Sequence, residues 1–255
     1  MRSLVPALIG LMLVAAWTSP SSSNSASGSD TSWVQLGARG TGTGAFVAWP
    51  AGKGPWPAVV VIHEWWGLNR QIREVARRLT QQGYVAIVPD LYHGKVAGDP
   101  EQAHVLMRGL EDARALADLD AAAVWLRADP RAGKRKIGVV GFCMGGAYSL
   151  QFALHTTEVA AAVMFYGPPE SDAARLAGLR VPLQGHFGQQ DDGIPVSRVE
   201  AFRGSLLKTG KTAEIYLYPA AGHAFMHEGR PSYHPDAARQ AWARTLAFFQ
   251  KHLKS

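Results

Sequence analysis

One cysteine, Cys143, stands in a chain of 255 residues, so no disulfide can close within it. Nor is there an apolar run of the roughly 18 or more residues that a membrane-spanning helix needs. The nearest approach is residues 1–17, MRSLVPALIGLMLVAAW, with Arg2 as its one charge. That stretch has the length and flank of a signal peptide, with an uncertain cleavage site. Residues 18–32 are mostly Ser, Gly, Asn and Thr and read as a flexible linker. No cysteine follows the apolar run, which excludes a lipoprotein anchor. The expectation is export to the periplasm or beyond, with an uncleaved membrane anchor as the alternative. Without that anchor, no stable membrane insertion is expected.

The chain also lacks a dense basic patch. Its net charge of +6 is scattered, and the short cluster of Arg131, Lys134, Arg135 and Lys136 reads as a solvated loop, not a nucleic-acid site. No repeat and no composition break follow residue 33, so 33–255 reads as a single domain with a full core. His63 and Glu64 are adjacent but have no evident third partner, so no metal is expected. No organic cofactor is implied, and a monomer is expected.

What the chain does hold is KIGVVGFCMGGAYSL, residues 136–150. Ile137, Val139 and Val140 read as a buried strand, and a helical run begins near Ala147. Between them Gly141, Cys143 and Gly145 spell G-x-C-x-G, the nucleophile-elbow pattern with cysteine in the usual place of serine. A sharp strand-to-helix turn brings two backbone segments close, which favours glycine at its flanks. It also sets the thiol beside the free N–H groups of a helix start, which favour a thiolate.

Strand and helix alternate along the rest of the chain, which predicts an α/β fold with a mostly parallel sheet covered on both faces. Trp33–Leu36 and Gly44–Trp49 read as a small edge hairpin. Ala58–Ile62 is a continuous apolar strand that runs into His63, Glu64, Trp65 and Trp66. Asn69 can cap a helix in which Ile72, Val75, Ala76 and Leu79 share a face. Further strands are expected at Tyr84–Val88, Val159–Tyr166, Val181–Phe187 and Thr212–Leu217. Helices are expected at Gln102–Leu110, Ala113–Arg127, Ser171–Leu179, Ser197–Leu207 (capped by Ser197) and Ala237–His252.

The strand ends carry the chemistry, as open α/β sheets do. Cys143 follows one strand, Asp191 and Asp192 a later one, and His223 the last. Nucleophile, acid, base is the chain order of α/β-hydrolases. His223 would take the thiol proton, and Asp191 or its neighbour Asp192 would fix the imidazole tautomer. Glu64, at the end of a buried strand, needs a partner, and the thiol of Cys143 is the expected one.

Five segments together resemble the dienelactone hydrolase family: His63–Asn69, Pro89–Tyr92, Gly141–Gly146, Phe187–Asp191 with Pro195, and Ala221–Phe225. The resemblance covers about residues 44–253. It implies an α/β-hydrolase fold and hydrolysis of a small-molecule ester or lactone through a thioester on Cys143. It favours Asp191 over Asp192. It implies that Glu64 contacts the resting thiol and is displaced by substrate, and that the N–H groups of Met144 and Trp65 form the oxyanion hole. Trp66, Tyr92, Lys95 and His227 are the candidate substrate contacts. The chain departs from the family at two arginine positions that bind a substrate carboxylate, which here are Gly94 and His227, with Lys95 or Arg230 as the cation that could compensate. A broad carboxylesterase or peptidase-like hydrolase, a non-catalytic binding protein and a thiol redox protein are the alternatives.

Overall fold

The apolar runs become the strands of one twisted sheet. The computed structural model describes residues 30–37, 42–133 and 135–255. Eight strands pair among them: β1 (Asp30–Gln35), β2 (Gly44–Trp49), β3 (Ala58–Ile62), β4 (Val85–Pro89), β5 (Ile137–Phe142), β6 (Val159–Phe165), β7 (Leu183–Gly188) and β8 (Ala213–Tyr218). Their spatial order is β1-β2-β4-β3-β5-β6-β7-β8. β2 runs antiparallel to both β1 and β4, and every other pairing is parallel. β3, β4 and β5 are buried along their whole length, which is why they read as unbroken apolar runs with no alternation.

Helices cover both faces. α1 (Arg70–Thr80) and the closing helix α7 (Pro235–Leu253) pack Ile72, Val75, Leu79, Trp242 and Phe249 against one face. On the other, α3 (Asp112–Ala128), α4 (Met144–His155) and α6 (Val196–Lys208) contribute Leu119, Leu126, Phe152, Val199 and Phe202. Strand residues alternate between the two layers, Val60 and Ile62 facing one and Val59 and Val61 the other. Two short helices, α2 (Pro100–Arg108) and α5 (Ala173–Leu176), sit in the connections.

Most expected elements form, with ends moved by up to three residues. Asn69 caps α1 as expected, its Oδ1 accepting the Ile72 N–H at 3.1 Å. Ser197 does not cap α6: the helix starts at Val196, and Pro195 stands at the cap without a side-chain hydrogen bond. β1 begins at Asp30, so the last three residues of the expected 18–32 linker belong to the sheet, where they pair with Val47, Ala48 and Trp49. The expected leader lies outside the described residues. The expectation of a possible uncleaved anchor is corrected: among the described residues, no helix is long and apolar enough to cross a membrane.

A buried polar cluster sits between the sheet and α7. His186, fully buried on β7, donates from Nε2 to Gln184 Oε1 at 2.9 Å and accepts at Nδ1 from the Tyr218 hydroxyl at 2.8 Å. Burial, helped by the nearby Arg244 charge, pushes its pKa down to about 3, so the ring is neutral.

Candidate active site

The end of β5 and the start of α4 meet at Cys143, which holds φ 54° and ψ −117°. This left-handed backbone is strained for a residue with a Cβ and persists only where the surroundings enforce it. The enforcement is visible in close packing. A Cβ at Gly141 would lie 1.8 Å from the Gly145 carbonyl oxygen, and one at Gly145 would lie 2.4 Å from that of Ile62. The turn therefore presses against the end of β3. Tyr166, at φ 36° just past β6, and Ala224, at φ 59° just past His223, are strained in the same way and flank the same site.

Three side chains form one hydrogen-bonded line. Cys143 Sγ lies 3.1 Å from His223 Nε2, and His223 Nδ1 donates to Asp191 Oδ2 at 2.7 Å. The loop after β7 holds Asp191 buried, its Oδ1 accepting the N–H groups of Gly193 at 3.0 Å and Ile194 at 3.1 Å. The loop after β8 is tied to it by the Gln190 N–H, which donates to the Ala221 carbonyl at 2.9 Å. Asp192, one residue on, is exposed and makes no hydrogen bond to His223. Burial disfavours a charged His223, but the Asp191 hydrogen bond and the contact with Cys143 outweigh it and raise the pKa to about 10.

Glu64 behaves differently from the expectation. Its carboxylate does not bond the thiol. Oε1 accepts from the Tyr166 hydroxyl at 3.3 Å, and Oε2 lies 4.0 Å from His227 Nε2. Gly229 N–H donates to His227 Nδ1 at 3.2 Å, so the neutral ring carries its proton on Nε2, facing Glu64. Burial pushes the Glu64 pKa up to about 7, against the opposing pull of His223, Tyr166 and Arg230. The carboxylate therefore makes no hydrogen bond to the thiol, and Cys143 pairs with His223.

The N–H of Met144, first residue of α4, and that of Trp65, in the loop after β3, donate no hydrogen bond among the described residues. Tyr92 is buried and donates from its hydroxyl to Met144 Sδ at 3.2 Å. Trp66 is covered by Arg230, whose guanidinium carbon lies 3.8 Å from the ring centroid. Lys95 is exposed and makes no side-chain hydrogen bond or ion pair among the described residues. One residue lies outside the site as read from the sequence, Tyr166, although it has a signal: a hydroxyl at the end of an apolar strand level with Cys143. Arg230 is a candidate from the sequence, but its stacking on Trp66 joins segments far apart in the chain and leaves no pattern.

Residues 43–253 match the dienelactone hydrolase family. A protein of Escherichia coli (strain K12) named "Putative carboxymethylenebutenolidase" is 37% identical over 216 residues, covering 78% of each chain. A Bradyrhizobium protein named "Probable 2-oxo-3-(5-oxofuran-2-ylidene)propanoate lactonase" is 32% identical over 234 residues, 87% of this chain and 94% of that one. The crystal structure titled "Putative Dienelactone Hydrolase" from Klebsiella pneumoniae superposes with a TM-score of 0.82 at 33% identity, covering 88% of this chain and 99% of that one. With the elbow, the strand order and these matches together, the chain belongs to the dienelactone hydrolase family of cysteine-nucleophile α/β-hydrolases, the enzymes of ester and lactone hydrolysis.

Proposed function

We propose that Cys143 is the nucleophile, His223 the general base and then acid, and Asp191 the group that orients His223. The observation that carries this reading is the unbroken line from Asp191 through His223 to the thiol at the strained turn. The Cys143 thiolate attacks the ester carbonyl, and the carbonyl oxygen becomes an oxyanion held by the N–H groups of Trp65 and Met144. The C–O bond then breaks, and His223 gives the thiol proton to the departing alkoxide. In a lactone that alkoxide stays on the acyl chain. Water, deprotonated by His223, attacks the thioester and releases the acid with the thiolate restored.

Glu64 acts as the gate on this cycle: when ionised, its charge opposes ionisation of the nearby thiol, and its protonation or its displacement by substrate frees the thiolate. Trp66 and Tyr92 line the substrate's apolar side. Arg230, held over Trp66, is the cation placed to bind an acidic substrate group where the family's arginine positions hold Gly94 and His227. The 33–255 domain works as a monomer on this reading. Among the described residues, the exposed Trp33, Val124 and Leu207 stand apart on β1, α3 and α6, and only Val96 and Val105 share a groove, beside α2.

The test is mass spectrometry after brief mixing with p-nitrophenyl acetate. An added acetyl group on Cys143, absent in Cys143→Ala along with turnover, supports the assignment. Turnover that survives Cys143→Ala overturns it.

A further inference from the structure

The loop that follows β3 contains a buried histidine to which the reaction above gives no role. We propose that His63 is a positioning residue for the oxyanion hole, acting through the peptide unit that joins Glu64 to Trp65. This inference rests on the reading of Cys143 as nucleophile and Trp65 N–H as an oxyanion donor.

His63 Nδ1 lies 2.7 Å from the carbonyl oxygen of Glu64. A backbone carbonyl only accepts, so Nδ1 carries the proton and donates. That carbonyl and the Trp65 N–H belong to one planar trans peptide and point in opposite directions. Fixing the carbonyl therefore fixes where the N–H points. The Gly67 N–H donates to the same oxygen at 3.1 Å, so two donors hold the unit from behind. Donors on the carbonyl also polarise the peptide and strengthen its N–H as a donor in turn. The loop has left the sheet at this point, so no ladder bond does this work instead.

The rest of the ring's surroundings fit the same role. His63 is fully buried, and its ring centroid lies 5.0 Å from that of Tyr92. Tyr92 in turn contacts Met144, which supplies the other N–H. His63 Nε2 has no hydrogen-bond partner among the described residues. A residue kept only to fill space would be better apolar, since an unpartnered buried nitrogen is costly. Burial lowers the His63 pKa, which favours the neutral ring.

The experiment compares His63→Leu, His63→Asn and His63→Gln by kcat and KM on p-nitrophenyl acetate and by the rate of Cys143 alkylation with iodoacetamide. Alkylation is a displacement at carbon that forms no oxyanion. An Asn amide N–H can occupy the place of Nδ1, whereas a Gln amide reaches one bond further. His63→Leu is expected to lower kcat by about 10- to 100-fold with KM within about twofold, less than outright loss of an oxyanion donor. His63→Asn is expected to restore kcat to within about tenfold of the parent and to exceed His63→Gln, with alkylation within about twofold throughout. If Leu does not fold, the Asn and Gln pair still decides. Unchanged kcat in Leu, equal kcat in Asn and Gln, or alkylation falling in step with kcat overturns the proposal. Full turnover in Cys143→Ala would instead show that the nucleophile reading has failed.

Discussion

Replacing Asp191 with asparagine should stop the reaction through the tautomer of His223, with the site's shape kept. Oδ1 of Asp191 accepts two backbone N–H groups, from Gly193 and Ile194. An asparagine keeps both only by placing its carbonyl oxygen there, which puts its NH₂ where Oδ2 now sits, 2.7 Å from His223 Nδ1. A donor facing Nδ1 forces that nitrogen to accept, so the imidazole proton moves to Nε2. Nε2 then presents N–H to Cys143 Sγ, 3.1 Å away, and can no longer take the thiol proton. The expected loss is about 10²- to 10⁴-fold in kcat, or about 3–5 kcal/mol of transition-state stabilisation. Because the backbone hydrogen bonds survive, the urea midpoint should correspond to a stability change within about 1 kcal/mol. Stopped-flow release of p-nitrophenol reads acylation directly, and the burst should slow with kcat. Asp192→Asn, at an exposed position, should stay within about twofold. An Asp191→Asn enzyme that keeps more than about a tenth of parent kcat, or equal damage from Asp192→Asn, would refute the tautomer argument.

With a Glu64 pKa of about 7, Glu64→Gln mimics the protonated gate at every pH. Iodoacetamide should then alkylate Cys143 about 3- to 10-fold faster than in the parent at pH 8 and equally fast at pH 6, and equal rates throughout would remove the gate. Arg230→Gln should raise KM for an acidic lactone about tenfold while leaving a neutral ester within about twofold, and parallel changes would deny Arg230 its anchoring role. His186, neutral in the fold at a pKa of about 3 against 6.5 when unfolded, binds a proton only on unfolding between those values. Its contribution to stability is present above pH 6.5 and lost as pH falls toward 3, by about 2 kcal/mol between pH 7 and pH 5. Urea titrations of the parent and His186→Gln should diverge by that amount, and a pH-independent difference would sink the assignment.

The sequence disclosed the site because each reactive group follows an apolar strand, and parallel strands bring their C-terminal ends to one edge. Cys143, His223 and the Asp191–Asp192 pair were legible on that ground. Choosing between the two aspartates was not, because one residue of spacing in a loop fixes no direction. The orientation comes from the N–H groups of Gly193 and Ile194, which hold Asp191 by Oδ1. The partner of Glu64 was misread for a related reason. Burial says that a carboxylate needs company, but Tyr166 and His227 reach it from just past β6 and from the loop after β8, over 100 residues away in each case. Helix starts were misjudged where Pro195, not Ser197, stands at the cap. The edge strand β1 was placed late because its residues are mostly exposed and carry little apolar signal.

The packing around Cys143 also bears on how such an enzyme can change over generations. The turn is specified by backbone against backbone, Gly141 against Gly145 and Gly145 against Ile62, and not by the sulfur atom. Any mutation that adds a carbon at those glycines meets main chain that cannot step aside. The nucleophile itself contributes one Cβ and one heavy atom beyond it, and a hydroxyl would sit on the same scaffold. Drift at this site is therefore cheap in chemistry and barred in geometry. A lineage could exchange thiol for alcohol in a single substitution and retune the histidine afterwards, while the small residues beneath it stay fixed.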